Sequence, residues 1–259
     1  MGQRTIENRS QGRPSAFSSL MANDAPKLGP DVSVLIPVLN EEATIREVVE
    51  RVLATPIHCQ VIVVDDGSTD RTPEILKELG DCILVLRNER PTGKGAALRK
   101  ALEAAEGRAV VVQDADLEYL PEELPAVVNP ILEGGESIVY GSRFAHGLPP
   151  KMALPNKIVN ILLAWSVRVL YGQPMTDEAT CYKAFRTDLL RQMDLQCTRF
   201  EFCPEVTAKA IRLKVPIREV PISYTPRTTL EGKKIRWTDA PQAFWTLARY
   251  RFWRPKSGK

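Results

Sequence analysis

Between residues 32 and 112 four apolar, β-branched runs, Val32–Val38, Val61–Val64, Cys82–Leu86 and Ala109–Val112, alternate with segments of helical character. Glu41–Ala54 repeats its apolar positions Ile45, Val48, Val49 and Val52 at helical spacing, and Thr72–Leu79 carries Pro73 in its first turn. Lys94–Ala105 is rich in Ala and Leu. Strand, helix, strand, helix at this rhythm specifies an α/β fold, a mostly parallel central sheet with helices on both faces. Beyond residue 120 the rhythm changes. Ser137–Arg143, Thr180–Phe185 and Ile217–Tyr224 read as further strands, Ile158–Leu170 and Pro204–Leu213 as helices. No internal repeat interrupts the pattern, and 259 residues lie near the upper limit for one core.

Ligands of such sheets bind where the carboxyl ends of the strands open. Three polar signatures fall just past strand ends: Asn40-Glu41, Asp65-Asp66-Gly67-Ser68 and Asp114-Ala115-Asp116. Taken alone, an Asp-X-Asp is more simply an acidic turn after a buried strand, but three signatures on one sheet edge predict a shared crevice. In an extended backbone side chains two apart point the same way. Asp114, Asp116 and Glu118 are therefore expected to converge on a point suited to Mg²⁺ or Mn²⁺, with substrate phosphates completing the shell. Asp66 is a candidate acceptor for a base N–H and Asp114 for a ribose hydroxyl. Asp116 and Glu118 are the candidates for a metal bridging two phosphates.

Other nucleotide-using classes are excluded by what stands in place of their motifs. No GxGxxG follows the first strand and no GxxxxGK[ST] occurs. A nucleotidyltransferase would carry a Gly-rich basic loop where this chain has Asn40-Glu41-Glu42. Thr92-Gly93-Lys94-Gly95 enters a helix and is a weaker phosphate-contact candidate. A net charge of +3 gives no reason to expect nucleic acid. Five cysteines without CxxC spacing, and two histidines remote from Cys197 and Cys203, read as reduced thiols rather than a zinc site. No apolar run reaches the roughly 18–20 residues of a membrane span. Residues 1–28 read as a flexible leader without a secretory signal. Residues 237–259 form an aromatic and basic tail, with Phe244, Trp245, Tyr250, Phe252 and Trp253 among Arg249, Arg251, Arg254 and Lys256. Such a tail suits either a membrane interface or packing on the domain, as does Ile158–Leu170.

Ile36-Pro37-Val38-Leu39-Asn40-Glu41, Val64-Asp65-Asp66-Gly67-Ser68, Gly93-Lys94-Gly95, Asp114-Ala115-Asp116 and Gly141-Ser142-Arg143 occur in the order and spacing of glycosyltransferase family 2. The chain resembles its dolichol-phosphate mannose synthase-like branch of polyprenyl-phosphate glycosyltransferases, over a GT-A domain at residues 29–236. The resemblance implies inverting, Mg²⁺- or Mn²⁺-dependent transfer from a GDP- or UDP-sugar to a polyprenyl phosphate. It places Pro37, Leu39, Glu41, Val64 and Asp66 around the nucleoside and Asp114, Ala115 and Asp116 at ribose and diphosphate. Glu118 stands where the branch often has Gln. Arg143 matches an arginine that meets phosphate. Arg227, Lys233 and Lys234 fall in a basic loop that meets the acceptor phosphate or departing diphosphate, or is simply solvated. Asp177 would orient sugar or acceptor, and Asp177 or Glu205 would be the base if the acceptor were a hydroxyl; the alternative for both, preferred for Glu205, is a buried, helix-capping or ion-paired acid. The expected setting is cytoplasmic, peripheral on the membrane face, with a homo-oligomer or membrane partner open. The rival readings are the same donor with a soluble or glycan hydroxyl acceptor, and a catalytically idle GT-A binding protein.

Overall fold

The computed structural model describes residues 29–149, 152–227 and 240–255. Seven described strands form one sheet in the order β3-β2-β1-β4-β6-β5-β7. β1 (Val32–Val38), β2 (Cys59–Asp65), β3 (Leu84–Arg87) and β4 (Ala109–Val112) are parallel. The helices that return the chain between them are α1 (Ile45–Leu53), α2 (Thr72–Glu78) and α3 (Lys94–Glu103). The four-strand half of the fold is thus the one expected, with shorter helices. Residues 42–44, expected to be helical, form turns, because Glu41, Glu42 and Thr44 are engaged by polar partners outside the helix.

Beyond β4 the order departs from simple winding. α4 (Leu124–Leu132) precedes β5 (Ile138–Ser142), and α5 (Leu154–Tyr171) follows it. β6 (Lys183–Arg186) then inserts antiparallel between β4 and β5, followed by α6 (Thr187–Gln192). α7 (Phe202–Arg212) leads to β7 (Arg218–Pro221), which pairs parallel with β5, and α8 (Ala240–Tyr250) closes the described chain. The sequence reading missed α4, whose Pro125 and Pro130 argue against a helix. Pro125 sits in the first turn, where its missing N–H is no loss. Leu124, Val127, Val128 and Ile131 bury the inner face and outweigh Pro130.

Two apolar layers sandwich the sheet. Val34, Ile36 and Val63 pack with α1 and α4, while Leu35, Ile62, Val64 and Val110 pack with α3 and α7. A third cluster joins Leu163 and Val167 of α5, Ala208 of α7, and Leu247 and Tyr250 of α8. One face of the C-terminal aromatic helix therefore packs on the domain. The other stays open, with Trp245 68% exposed, and Phe252, just past the helix, is 83% exposed. α5 is similarly divided: Leu154, Ile158, Ile161, Leu162, Trp165 and Val169 on its outer side are exposed.

Candidate active site

The loops after β1, β2 and β4 are tied together at the carboxyl edge of the sheet. Asn40, at φ 53°, donates its N–H to Ser68 Oγ at 2.9 Å, and its Oδ1 accepts from Thr69 N at 2.8 Å. Thr44 Oγ1 donates to the Ala115 carbonyl at 2.7 Å. Pro37, Leu39, Glu41, Asp66, Lys94, Asp114, Ala115, Asp116, Glu118 and Arg143 line a single cavity of about 360 Å³. Val64 is not among them. It is fully buried in the layer with α3, one residue before the strand's polar exit.

The expectation that three acids converge as metal ligands is corrected. Among the described residues no group of three or more His, Cys, Asp or Glu side chains is arranged to hold a metal ion. The every-second-residue argument requires extended backbone, and β4 ends at Val112. Residues 115–119 form a turn in which Leu117 has φ 57°, so Glu118 is aimed at other partners although it stays near Asp116. Glu118 instead accepts from Tyr224 Oη at 2.9 Å and from Arg227 N at 2.7 Å. Asp114 accepts from Lys94 Nζ at 2.5 Å. Burial would lower the Lys94 pKa, but the Asp114 charge outweighs it and raises it well above the usual range. Asp116 is left with the Glu118 N–H at 3.1 Å. Burial and the neighbouring Asp114 and Glu118 charges push its pKa up to about 7. That crowding is what a divalent cation relieves, so Asp116, with Asp114 beside it, fits Mg²⁺ or Mn²⁺ as a one- or two-carboxylate site completed by substrate phosphates.

Asp66 has a second task. Its carboxylate accepts from Asn88 Nδ2, Thr92 N, Thr92 Oγ1 and Gly93 N, all at 2.6–3.0 Å. Burial alone would raise its pKa, but these bonds outweigh it and hold the pKa low. Base recognition by Asp66 would require one of these donors to give way. Gly93, at φ 103°, lies against the Thr198 carbonyl, which a Cβ would meet at 2.4 Å. The loop thereby positions Lys94 at the start of α3.

Asp177 is corrected from a substrate-facing acid to an arginine holder. It accepts from Arg143 N at 3.0 Å, Nε at 2.7 Å and Nη2 at 2.7 Å, and the two side chains are 7% and 0% exposed. Arg143 also donates to Asn160 of α5 at 3.1 Å and lies 5.0 Å over the Tyr224 ring. Glu205 is fully buried, accepting from Gln196 N, Cys197 N and Lys209, which makes it structural. Arg227 Nη1 donates to Glu41 at 2.9 Å, beside the cavity. Lys233 and Lys234 lie outside the described residues.

The sequence reading missed the apolar lining. Val159 and Leu163 of α5, Phe202 of α7 and Ala243 of α8 line the same cavity, as do Cys181 and Cys203. No spacing in the chain connects these positions, because the sheet order brings them together. Glu178 also lines the cavity, and its carboxylate oxygens have no hydrogen-bond partner.

Fold and site together have the form of a GT-A glycosyltransferase that uses nucleotide sugars. The chain belongs to glycosyl transferase family 2, whose sequence pattern matches residues 33–193. It is 35% identical over 207 residues to the low-salt glycan biosynthesis hexosyltransferase Agl6 of Haloferax volcanii, a match covering 77% of this chain but only 49% of that protein. It is 31% identical over 228 residues to the UDP-N-acetylglucosamine–dolichyl-phosphate N-acetylglucosaminyltransferase of Methanococcus voltae, covering 79% of this chain and 90% of that one. The crystal structure of glucosyl-3-phosphoglycerate synthase from Mycobacterium tuberculosis with Mn²⁺, UDP-glucose and phosphoglyceric acid superposes with TM-score 0.67 at 25% identity, covering 96% of this chain and 88% of that one.

Proposed function

We propose that this chain transfers a sugar, with inversion, from a GDP- or UDP-sugar to a polyprenyl phosphate at a membrane surface. The single observation that carries this reading is a cavity lined by two kinds of side chain, charged Lys94, Asp114, Asp116 and Arg143 and apolar Val159, Leu163, Phe202 and Ala243. A nucleoside diphosphate suits the charged groups and the start of a prenyl chain the apolar ones. Relatives named for dolichyl-phosphate and undecaprenyl-phosphate transfer support the acceptor class.

In this reading Pro37, Leu39, Glu41 and Asp66 border the nucleoside, and Ala115 lies between the two acids at the diphosphate. Mg²⁺ or Mn²⁺, held by Asp116 and Asp114, supplies charge neutralisation for the departing diphosphate. Arg143, fixed by Asp177, and Arg227 supply fixed positive charge for acceptor or leaving phosphate. Lys233 and Lys234 are proposed to join them. An acceptor phosphate is already anionic at pH 7 and needs no base. A hydroxyl acceptor would need one, and the full engagement of Asp177 and Glu205 counts against that alternative.

The membrane part of the proposal rests on α5 and α8. Their outer sides expose Ile158, Ile161, Leu162, Trp165, Val169 and Trp245. Residues 154–171 and 240–255 contain no Asp or Glu, and include Lys157, Arg168, Arg249, Arg251 and Arg254. An apolar, aromatic, cationic face suits anionic headgroups. Among the described residues no helix is long and apolar enough to cross a membrane. Five free cysteines suit the cytoplasmic side.

The test is transfer of labelled sugar from GDP- and UDP-sugars to long-chain polyprenyl phosphate in vesicles, with Mn²⁺, Mg²⁺ or chelator. Lipid product that needs the metal and disappears in Asp116→Ala is expected. Wild-type turnover in Asp116→Ala would refute the metal assignment. Transfer to soluble hydroxyl acceptors alone would refute the lipid one.

A further inference from the structure

Of the five cysteines, two border the cavity, and they come from distant parts of the chain. Cys181 lies in the loop entering β6, and Cys203 in the first turn of α7. Cys203 Sγ donates at 3.3 Å to the carbonyl of Thr180, the residue just before Cys181, and each thiol shifts the titration of the other. On the other side Cys181 Sγ accepts from Lys94 Nζ at 2.9 Å, and the same ammonium holds Asp114 at 2.5 Å. The two sulfurs are thus one contact from the lysine and two from the first acid of Asp114-Ala115-Asp116. Lys94 and the buried Lys183 both place positive charge near the pair, which favours a thiolate there. Within the pair the Cys203 thiol is lowered and the Cys181 thiol raised, each first through the other.

We propose that Cys181 and Cys203 form a peroxide-oxidisable dithiol whose disulfide disables the donor site. One thiolate attacks a peroxide oxygen and breaks the O–O bond, leaving a sulfenic acid and, after protonation, one water. The second thiol attacks that sulfur, forms the S–S bond and expels the hydroxyl as a second water. Two thiols lose two electrons and two protons, and one hydrogen peroxide becomes two waters. Another thiol pair reverses the step by exchange.

Closing an S–S bond of about 2.05 Å requires the two sulfurs to approach one another. Cys203 sits on a helix packed in the core, so Cys181 and its loop move toward α7. The Lys94 Nζ contact to Cys181 is then broken, and the loop that carries Asp177 and Glu178 shifts with it. Nucleotide binding is weakened because Lys94 and Arg143 are both displaced from the positions that the loop maintains. This second half rests on the donor site proposed above. Cys59 packs on the α1 side of the sheet, Cys82 lies exposed before β3, and Cys197 is buried beside Glu205, so none of them borders the cavity.

The test treats the full chain with hydrogen peroxide and follows intact mass, disulfide-linked peptides, and thermal shifts with UDP or GDP plus Mn²⁺. A mass loss of about 2 Da, reversed by dithiothreitol and mapped to Cys181–Cys203, is expected. Nucleotide affinity should fall about tenfold or more in the oxidised protein and recover on reduction. In Cys203→Ser the ratio of affinities before and after peroxide should stay near one. No Cys181–Cys203 peptide, a different pairing, or a mapped disulfide with unchanged nucleotide affinity each overturns the proposal. A reduced protein that binds neither nucleotide refutes the donor site instead, and the peptide map then decides for or against the dithiol by itself.

Discussion

Glu178→Gln should stabilise this protein at alkaline pH, although it replaces a buried polar group by another. Glu178 is 1% exposed, and neither carboxylate oxygen has a hydrogen-bond partner. Lys183 of β6 gives its ammonium to the Glu178 carbonyl at 2.7 Å and lies 3.5 Å over the Tyr140 ring, so its charge offsets the carboxylate only in part. Cys203 and Thr207 of α7 and Asp177 in the same loop also face the group. Burial is the largest influence and lifts its pKa from 4.5 to about 7. The folded protein therefore holds a proton that the unfolded chain releases near pH 4.5, and stability falls as pH rises from there to about 7. A shift of roughly 2.5 units corresponds to about 3 kcal/mol of lost stability, at 1.36 kcal/mol per unit. At a few degrees per kcal/mol for a chain of this size, that is about 6–12 °C in Tm. Gln carries no charge at either pH, so the variant should match wild type near pH 5 and exceed it by most of this amount near pH 8. Thermal melts of both proteins across that range measure the difference directly. Parallel pH profiles, or a variant less stable than wild type at pH 8, would refute the reasoning that burial of an under-compensated charge governs this position.

Asp177→Ala should cost about 3–5 kcal/mol, because it strands a buried guanidinium that now makes two bonds to one carboxylate, with the Arg143 backbone N–H making a third; urea melts showing a loss under about 1 kcal/mol would remove Asp177 as the holder of Arg143. Gly93→Ala combines a φ of 103° with a carbonyl at 2.4 Å from the new Cβ, so a loss of about 1–3 kcal/mol in denaturant melts is expected, with weaker nucleotide binding as Lys94 moves. Trp165→Glu and Trp245→Glu, at positions 60% and 68% exposed, should reduce sedimentation with anionic vesicles by about tenfold while leaving Tm within a degree or two. Unchanged sedimentation in the double variant would retire the proposed membrane face.

Legibility in the sequence followed the range of the forces involved. β1 to β4 and the helices between them were readable because each is a local hydrophobic pattern with its own turn chemistry. The crevice was readable for the same reason, since parallel winding sends every strand's carboxyl end to one edge. The antiparallel insertion of β6 between β4 and β5 was not, because nothing in Lys183–Arg186 records which strands will flank it. Partner choice was equally hidden. Asp177 and Asp66 stand far in sequence from their partners Arg143 and Thr92, which packing brings to them, whereas Glu205 and Lys209 are an i,i+4 pair on α7. Glu118 shows the limit most plainly: the alternation rule was sound for a strand and failed where the strand stopped, at Val112.

The charges around the cavity suggest how ligand-free and loaded states differ under the proposed reaction. Among the described residues, Lys94 Nζ donates to Asp114 and Arg227 Nη1 to Glu41. Asp116, crowded by Asp114 and Glu118, has its pKa pushed up to about 7 and so holds a proton part of the time. A divalent cation at Asp116 and Asp114 would displace that proton and draw Asp114 away from Lys94, whose charge is then free for a diphosphate. Arg143 differs in kind, because Asp177 holds it whatever is bound. One movable and one fixed cation divide the work between capturing the donor and placing the acceptor.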